Sequence, residues 1–242
     1  MYRLDDFKFS ELDDRDYTLS APKNMPLPSK FRLDIRGGVR DQGDTGSCSA
    51  QVAALLKEYH EFKERGIRSC FSVDYIYSQR MNKDSEGMTP RNTFKLLTYN
   101  GAIPSRYWKR KYNRKTIPED VITLAKNFRI DGFARADTAA ALKEAIYLHG
   151  VGYLALPVYT TLSDYFWRNP ADHNRIMGGH AIAAIGWTEE GIILRNSWGS
   201  SWGDRGEIIL PYDDWEIVVE AWVAIDAITA DIFKRNGKLR RQ

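Results

Sequence analysis

The sequence predicts an α+β fold of two lobes, and three observations carry that expectation. Before residue 150 the chain holds several helix-length stretches with apolar residues at three- and four-residue spacing and identifiable caps. After Gly150 it changes to short apolar or β-rich runs bounded by glycine, proline or charge. Helices gathered ahead of strands, rather than alternating with them, are the α+β pattern, and such runs joined by short connections read as an antiparallel sheet. At 242 residues the chain can build one large domain or two small ones with an adequate core.

The elements follow in order. Residues 1–26 form an acidic, weakly patterned extension that ends in the proline-marked stretch "APKNMPLPS". A helix from Ser47 or Cys48 to Arg65 carries Val52, Leu55, Leu56, Tyr59 and Phe62 at helical spacing, and Gly66 can end it. The stretch "SVDYIYSQR" predicts a second, short helix. A third opens at Thr89-Pro90, a good cap and first-turn pair, and stops at Asn100-Gly101. A fourth runs from Pro118 towards Asn127, and Thr138 caps "AAALKEAIYLH", which Gly150 closes. The runs "VGYLALPV", "HAIAAIGW", "GIILRN" and "GEIIL" then read as strands. The sequence contains no internal repeat or low-complexity tract.

Composition excludes several classes of function. A hydrophobic fraction of 43% and a charged fraction of 28% suit a folded globular chain, and a net charge of +3 is too small to imply a nucleic-acid partner. The basic, aromatic-rich segment at 106–115 is a candidate nucleic-acid patch, but it reads better as a solvated connection between lobes; the basic tail at 228–242 reads as a frayed terminus. No apolar run approaches the roughly 18 residues that span a bilayer, and the first twenty residues lack the apolar centre of a secretory signal. No membrane partner is therefore expected, and a cytoplasmic location is favoured.

The two cysteines flank the first predicted helix, whose length would hold them about 30 Å apart, beyond the reach of a disulfide. Both thiols are expected to be free, with Cys70 a partly buried packing residue. Cys48 is different. It follows the turn "QGDTGS" at a helix N-terminus, where unpaired amides favour a thiolate. The turn's glycines would leave it accessible, and its amides suit an oxyanion hole. Of the four histidines, His60 and His149 fall within helices and His173 in a polar loop, whereas His180 follows "MGG" and opens an apolar strand. A hairpin through "TEEG" would return Asn196 beside His180, where a side-chain amide fixes the ring's tautomer. Trp198 would shield that contact, or simply pack in the core.

These residues resemble the papain-like cysteine peptidases, in which histidine and asparagine follow the catalytic cysteine by about 130 to 150 residues. Here His180 and Asn196 follow Cys48 by 132 and 148 residues. The resemblance rests on "DQGDTGSCSA", "GGHAIAAIGW" and "GIILRNSWGSSWGDRGEI", in that order, with a weaker match through "FSVDYIYSQR…EGMTPRNTFKLLTYNGAIP". It implies a papain-like two-lobe fold, with a helical lobe at about 40–115, a strand lobe at about 116–227 plus the chain start, and the active-site cleft between them. It further implies Cys48 as nucleophile, His180 as base and then acid, Asn196 as the residue that orients it, and Gln42 as an oxyanion donor with the Cys48 amide. Trp198 would cover the His–Asn contact, Gly87 and Met88 would pair with substrate backbone, and Gly178, Gly179 and Ala181 would border the cleft opposite.

Three positions depart from the pattern. Thr45 stands where many secreted relatives have a cysteine, Ser49 replaces the bulky residue often found after the nucleophile, and Glu207 replaces a common aromatic. The 26-residue extension is also far shorter than the family's usual inhibitory propeptide, a feature of compact microbial and viral members. The expected reaction is peptide hydrolysis through an acyl-enzyme, with a protein or peptide substrate and no metal or cofactor. The extension would cross the cleft, its acidic residues meeting basic ones there. The same residues also suit a peptide-binding module without proteolysis, or acyl transfer to an amine.

Overall fold

The computed structural model describes residues 8–11, 13–19, 25–66, 68–81, 87–108, 117–160, 163–169 and 176–225. His173, the basic tail and most of the basic segment at 106–115 lie outside them. Helix α1 (Cys48–Arg65) begins at the thiol and ends at Gly66, whose left-handed conformation (φ 66°) lets its amide cap the last turn through the Glu61 and Phe62 carbonyls. Helix α2 (Val73–Ser78) is capped by Ser72 and α3 (Pro90–Tyr99) by Thr89, each through its side-chain oxygen. The fourth predicted helix is shorter: α4 (Glu119–Ala125) tightens into a 3₁₀ turn at Lys126–Phe128. Helix α5 (Ala139–His149) is capped by Thr138, as its sequence predicts.

The strands form one antiparallel seven-stranded sheet. They are β1 (Phe31–Arg32), β2 (Gly132–Arg135), β3 (Gly152–Val158), β4 (Gly178–Trp187), β5 (Gly191–Arg195), β6 (Glu207–Pro211) and β7 (Glu220–Ile225), in the order β2-β7-β3-β4-β5-β6 with β1 paired to β4. All residues of β3 and nine of ten in β4 are buried, with α1 packed against β4 and α5 against both strands. A bulge between Ala184 and Gly186 lets β4 accept β1 closely; a Cβ on Gly186 would stand 2.2 Å from the Phe31 carbonyl oxygen. Helix α1 packs against β4, so the helical part and the sheet meet where Cys48 and His180 sit. Both thiols are free, but Cys70 is exposed rather than partly buried, since it lies in the irregular segment beyond α1.

Candidate active site

The turn ahead of Cys48 is held by its own polar groups. Gly43 adopts φ +58°, which a glycine reaches without strain, and its amide donates to Asp41 Oδ1 at 2.9 Å. The Gln42 side-chain amide donates to the Thr45 carbonyl at 2.8 Å, and the Thr45 hydroxyl donates back to the Gln42 carbonyl at 2.7 Å. Thr45 thus fastens the turn by hydrogen bonds. Gln42 is buried, and Ser197 Oγ donates to its Oε1 at 2.7 Å, which fixes which amide atom faces which way. Its backbone amide also reaches the Ser197 carbonyl at 2.8 Å, and Asp41 bridges to Trp198. The cysteine turn and the loop after Asn196 are therefore joined.

His180 lies on β4 opposite Leu156. Its Nε2 is 2.7 Å from Asn196 Oδ1, which also accepts the Ser197 amide at 2.8 Å. An atom that accepts a backbone N–H is the amide oxygen, so His180 must carry a proton on Nε2. The neutral ring then presents a lone pair at Nδ1, a buried atom without a hydrogen-bond partner. Trp198 stacks over the ring at 4.6 Å and Phe166 meets it edge-on at 5.4 Å. Burial pushes the imidazole down to about 4, against the opposing pull of the Asn196 bond.

Cys48 departs from expectation in two respects. It is buried, at 2% exposure, although its glycine-rich turn suggested an accessible thiol. That burial pushes the thiol up to about 11, although the helix N-terminus alone would lower it. The Ala181 backbone pulls the other way, without prevailing. Burial thus acts on both groups in the same sense, against the charged form of each.

The remaining expected residues fall around this pair. Ala181 follows His180 on β4, paired with Ala155, while Gly178 and Gly179 precede it, paired with Val158 and Pro157. Met88 lies beside the first turn of α1, its carbonyl accepting Ser49 Oγ at 3.0 Å, with Gly87 just before it. Sequence reasoning gave no role to Ser197, Tyr153 or Phe166. Ser197 lies inside the "RNSWG" stretch and was within reach; Phe166 and Tyr153 come from elements with no chemical signature.

The extension also makes specific contacts. Arg91, at the start of α3, holds Asp16 through two guanidinium N–H groups, Nε to Oδ1 at 2.9 Å and Nη2 to Oδ2, and its backbone amide donates to Ser10 Oγ at 3.0 Å. The Ser10 amide donates to Glu220, and Thr18 bridges to Arg135 on β2. Of the acidic residues expected to meet basic partners, Asp16 does so; Asp13 pairs with Arg15 inside the extension, and Glu11 and Asp14 are exposed. Asp5 and Asp6 lie outside the described residues. Glu207, at the position of a common aromatic, pairs with Arg32 at 2.8 Å.

Comparison with known proteins gives this geometry its context. A cysteine protease of the mite Blomia tropicalis is 26% identical over 210 residues, which is 77% of this chain and 60% of that protein. An uncharacterised peptidase C1-like protein of Acanthamoeba polyphaga mimivirus is 24% identical over 212 residues, covering 76% and 68%. The chain thus spans about two thirds or less of these curated relatives. Among solved structures, xylellain, a cysteine protease from Xylella fastidiosa, superposes with a TM-score of 0.81 at 22% identity, over 93% of this chain and 97% of that one. The papain-like α+β fold, a helical part against an antiparallel sheet, is shared. Residues 31–217 match the papain family of cysteine proteases, and the chain belongs to that family.

Proposed function

We propose that the protein is a cysteine peptidase that hydrolyses peptide bonds through Cys48, His180 and Asn196. The observation that carries the reading is the hydrogen-bond pattern at His180. Asn196 holds the proton on Nε2 and leaves Nδ1 as the base, on the strand β4 against which α1, opening at Cys48, packs. As the thiol attacks a carbonyl, its proton passes to Nδ1; the imidazolium gives that proton to the leaving amine, and a water deprotonated by His180 cleaves the acyl-enzyme. The Cys48 amide, at the first position of α1, and the Gln42 side chain supply the oxyanion donors. One of the two Gln42 N–H groups is committed to Thr45, which holds the donor in place. Trp198 keeps water from the His180–Asn196 contact. Gly87 and Met88 on one side, and Gly178, Gly179 and Ala181 on the other, border the substrate.

The peptidase domain spans about 27–227, with its helical lobe at about 40–115, its strand lobe at about 116–227 plus the chain start, and the cleft between them. The extension restrains the same cleft. Its contacts fall on Arg91, three residues beyond Met88, and on Glu220, paired with Ala155 of β3. The substrates are proteins or peptides, and the chemistry asks for no metal or cofactor. Replacing Cys48 by alanine is expected to abolish peptide hydrolysis and any acyl-enzyme seen by mass spectrometry; hydrolysis that survives C48A unaltered contradicts the mechanism. Product analysis with an added amine separates hydrolysis from acyl transfer.

A further inference from the structure

Ser49, directly after Cys48, is fully buried on the first turn of α1. Its hydroxyl lies 3.0 Å from the Met88 carbonyl oxygen and 2.8 Å from the Tyr153 hydroxyl. A carbonyl can only accept, and a serine has one proton to give. Ser49 therefore donates to Met88 and accepts from Tyr153, and the chain runs one way: Tyr153 O–H to Ser49 Oγ, Ser49 O–H to Met88 O. Burial holds the Tyr153 phenol well above its ordinary range, so the tyrosine remains a donor.

The sheet is built to receive this tyrosine. Tyr153 stands opposite Ala183 across the β3–β4 ladder, and Ala155 stands opposite Ala181 two residues along the same face. The run of alanines leaves room for a phenol ring between the sheet and α1, and Phe94 of α3 meets it edge-on at 5.6 Å. Tyr153 and Met88 are 1% and 2% exposed, so bulk water cannot replace either bond. Three separate parts of the fold, β3, the first turn of α1 and the loop before α3, thus converge on one hydroxyl next to the thiol.

We infer that Tyr153 and Ser49 are positioning residues that set where the Gly87–Met88 backbone stands relative to Cys48, and so how a peptide is aligned for attack. The inference rests on the reading of Cys48 as nucleophile and of the 87–88 backbone as the peptide's partner. It gives Ser49 a reason: where relatives place a bulky side chain, this chain places a small hydroxyl and supplies the bulk from Tyr153 across the lobe interface. The Tyr153 hydroxyl bonds Ser49 and not the reacting atoms, so its loss falls on alignment, whereas the Ser49 side chain also pulls the Cys48 thiol down against burial and its loss bears on both.

The test compares Tyr153→Phe, Ser49→Ala and the double variant in the full chain. Three quantities are read: kcat and KM on a fluorogenic peptide, the rate of Cys48 alkylation by iodoacetamide, and amide exchange at residues 87–88. Y153F, which removes one oxygen and keeps the ring, is expected to raise KM about five- to tenfold, the size of one buried hydrogen bond. Its kcat and alkylation rate should stay within about twofold, because the thiol and His180 are untouched. S49A should raise KM at least as much, and the double variant should match S49A, since the two act through one chain. Amide exchange at 87–88 should quicken in every variant. KM within twofold of the parent, or parallel losses of kcat, alkylation rate and melting temperature with KM unmoved, overturns the inference in favour of plain packing. If S49A fails to fold, Y153F alone decides. If the parent neither hydrolyses peptides nor alkylates at Cys48, the functional reading fails, and unchanged exchange at 87–88 in Y153F then overturns the positioning role as well.

Discussion

At the scale of single residues, the site depends on which atom carries which proton. Asn196 is fixed by a backbone amide, and through it His180 is held in the one tautomer that leaves Nδ1 free. Replacing Asn196 by alanine leaves the ring free to turn and gives up the proton's acceptor. The expected result is a fall in kcat of at least about tenfold, a fraction of what a positioned general base contributes, with KM little changed. An N196A enzyme with unaltered kcat contradicts that role. The stretches that carry these residues were legible because each motif is a short, local pattern in the sequence. Their electrostatics were not: the helix N-terminus and the glycine turn argued for an accessible, acidic thiol, but burial against β4 outweighs both. Desolvation depends on what packs around a group, and no motif encodes that.

At the scale of elements, caps and turn residues were the most legible features. Thr89 and Thr138, the caps read from the sequence, each accept from the amide three residues on, as Ser72 also does without having been named, and Gly66 takes the left-handed conformation that ends α1. Three strands were not anticipated, for separate reasons. β1 has two residues and β2 four, too few to show alternation, and β7 is buried along its whole length, so its sequence never alternates. Yet β7 lies between β2 and β3 and carries Glu220, one anchor of the extension. The other anchor is the Asp16–Arg91 pair, about nine-tenths buried at both side chains. Breaking it by Asp16→Ala should loosen the extension and raise kcat/KM about three- to tenfold, an effect of the size expected for a charge-assisted hydrogen bond. Equal rates for parent and D16A, and for a chain starting at Leu27, argue against autoinhibition.

At the scale of the whole molecule, the fold buries two histidines, His180 and His149, and burial disfavours the charged form of each. His180 is pushed down to about 4 by burial, and His149 likewise to about 4 by burial and by the nearby His60, whose Nε2 lies 2.7 Å from the His149 carbonyl oxygen. Both folded values lie below the ordinary histidine value, so the unfolded chain binds the extra protons first. Their contribution to stability is complete above about pH 6.5 and declines as pH falls towards 4, by up to about 3 kcal/mol for each. Urea denaturation at pH 7.5 and pH 4.5 should show a clearly lower midpoint at the acid pH; equal midpoints contradict the burial account. The α+β class was readable from the switch in texture at Gly150, whereas the strand order was not, because it is set by long-range pairing. The most direct test of the central claim is titration with iodoacetamide, following peptide hydrolysis while mass spectrometry counts modification at each cysteine. Exposed Cys70 serves as the internal reference. Hydrolysis should fall in proportion to modification of Cys48, whatever the state of Cys70. Full modification of Cys48 with hydrolysis intact would contradict the mechanism.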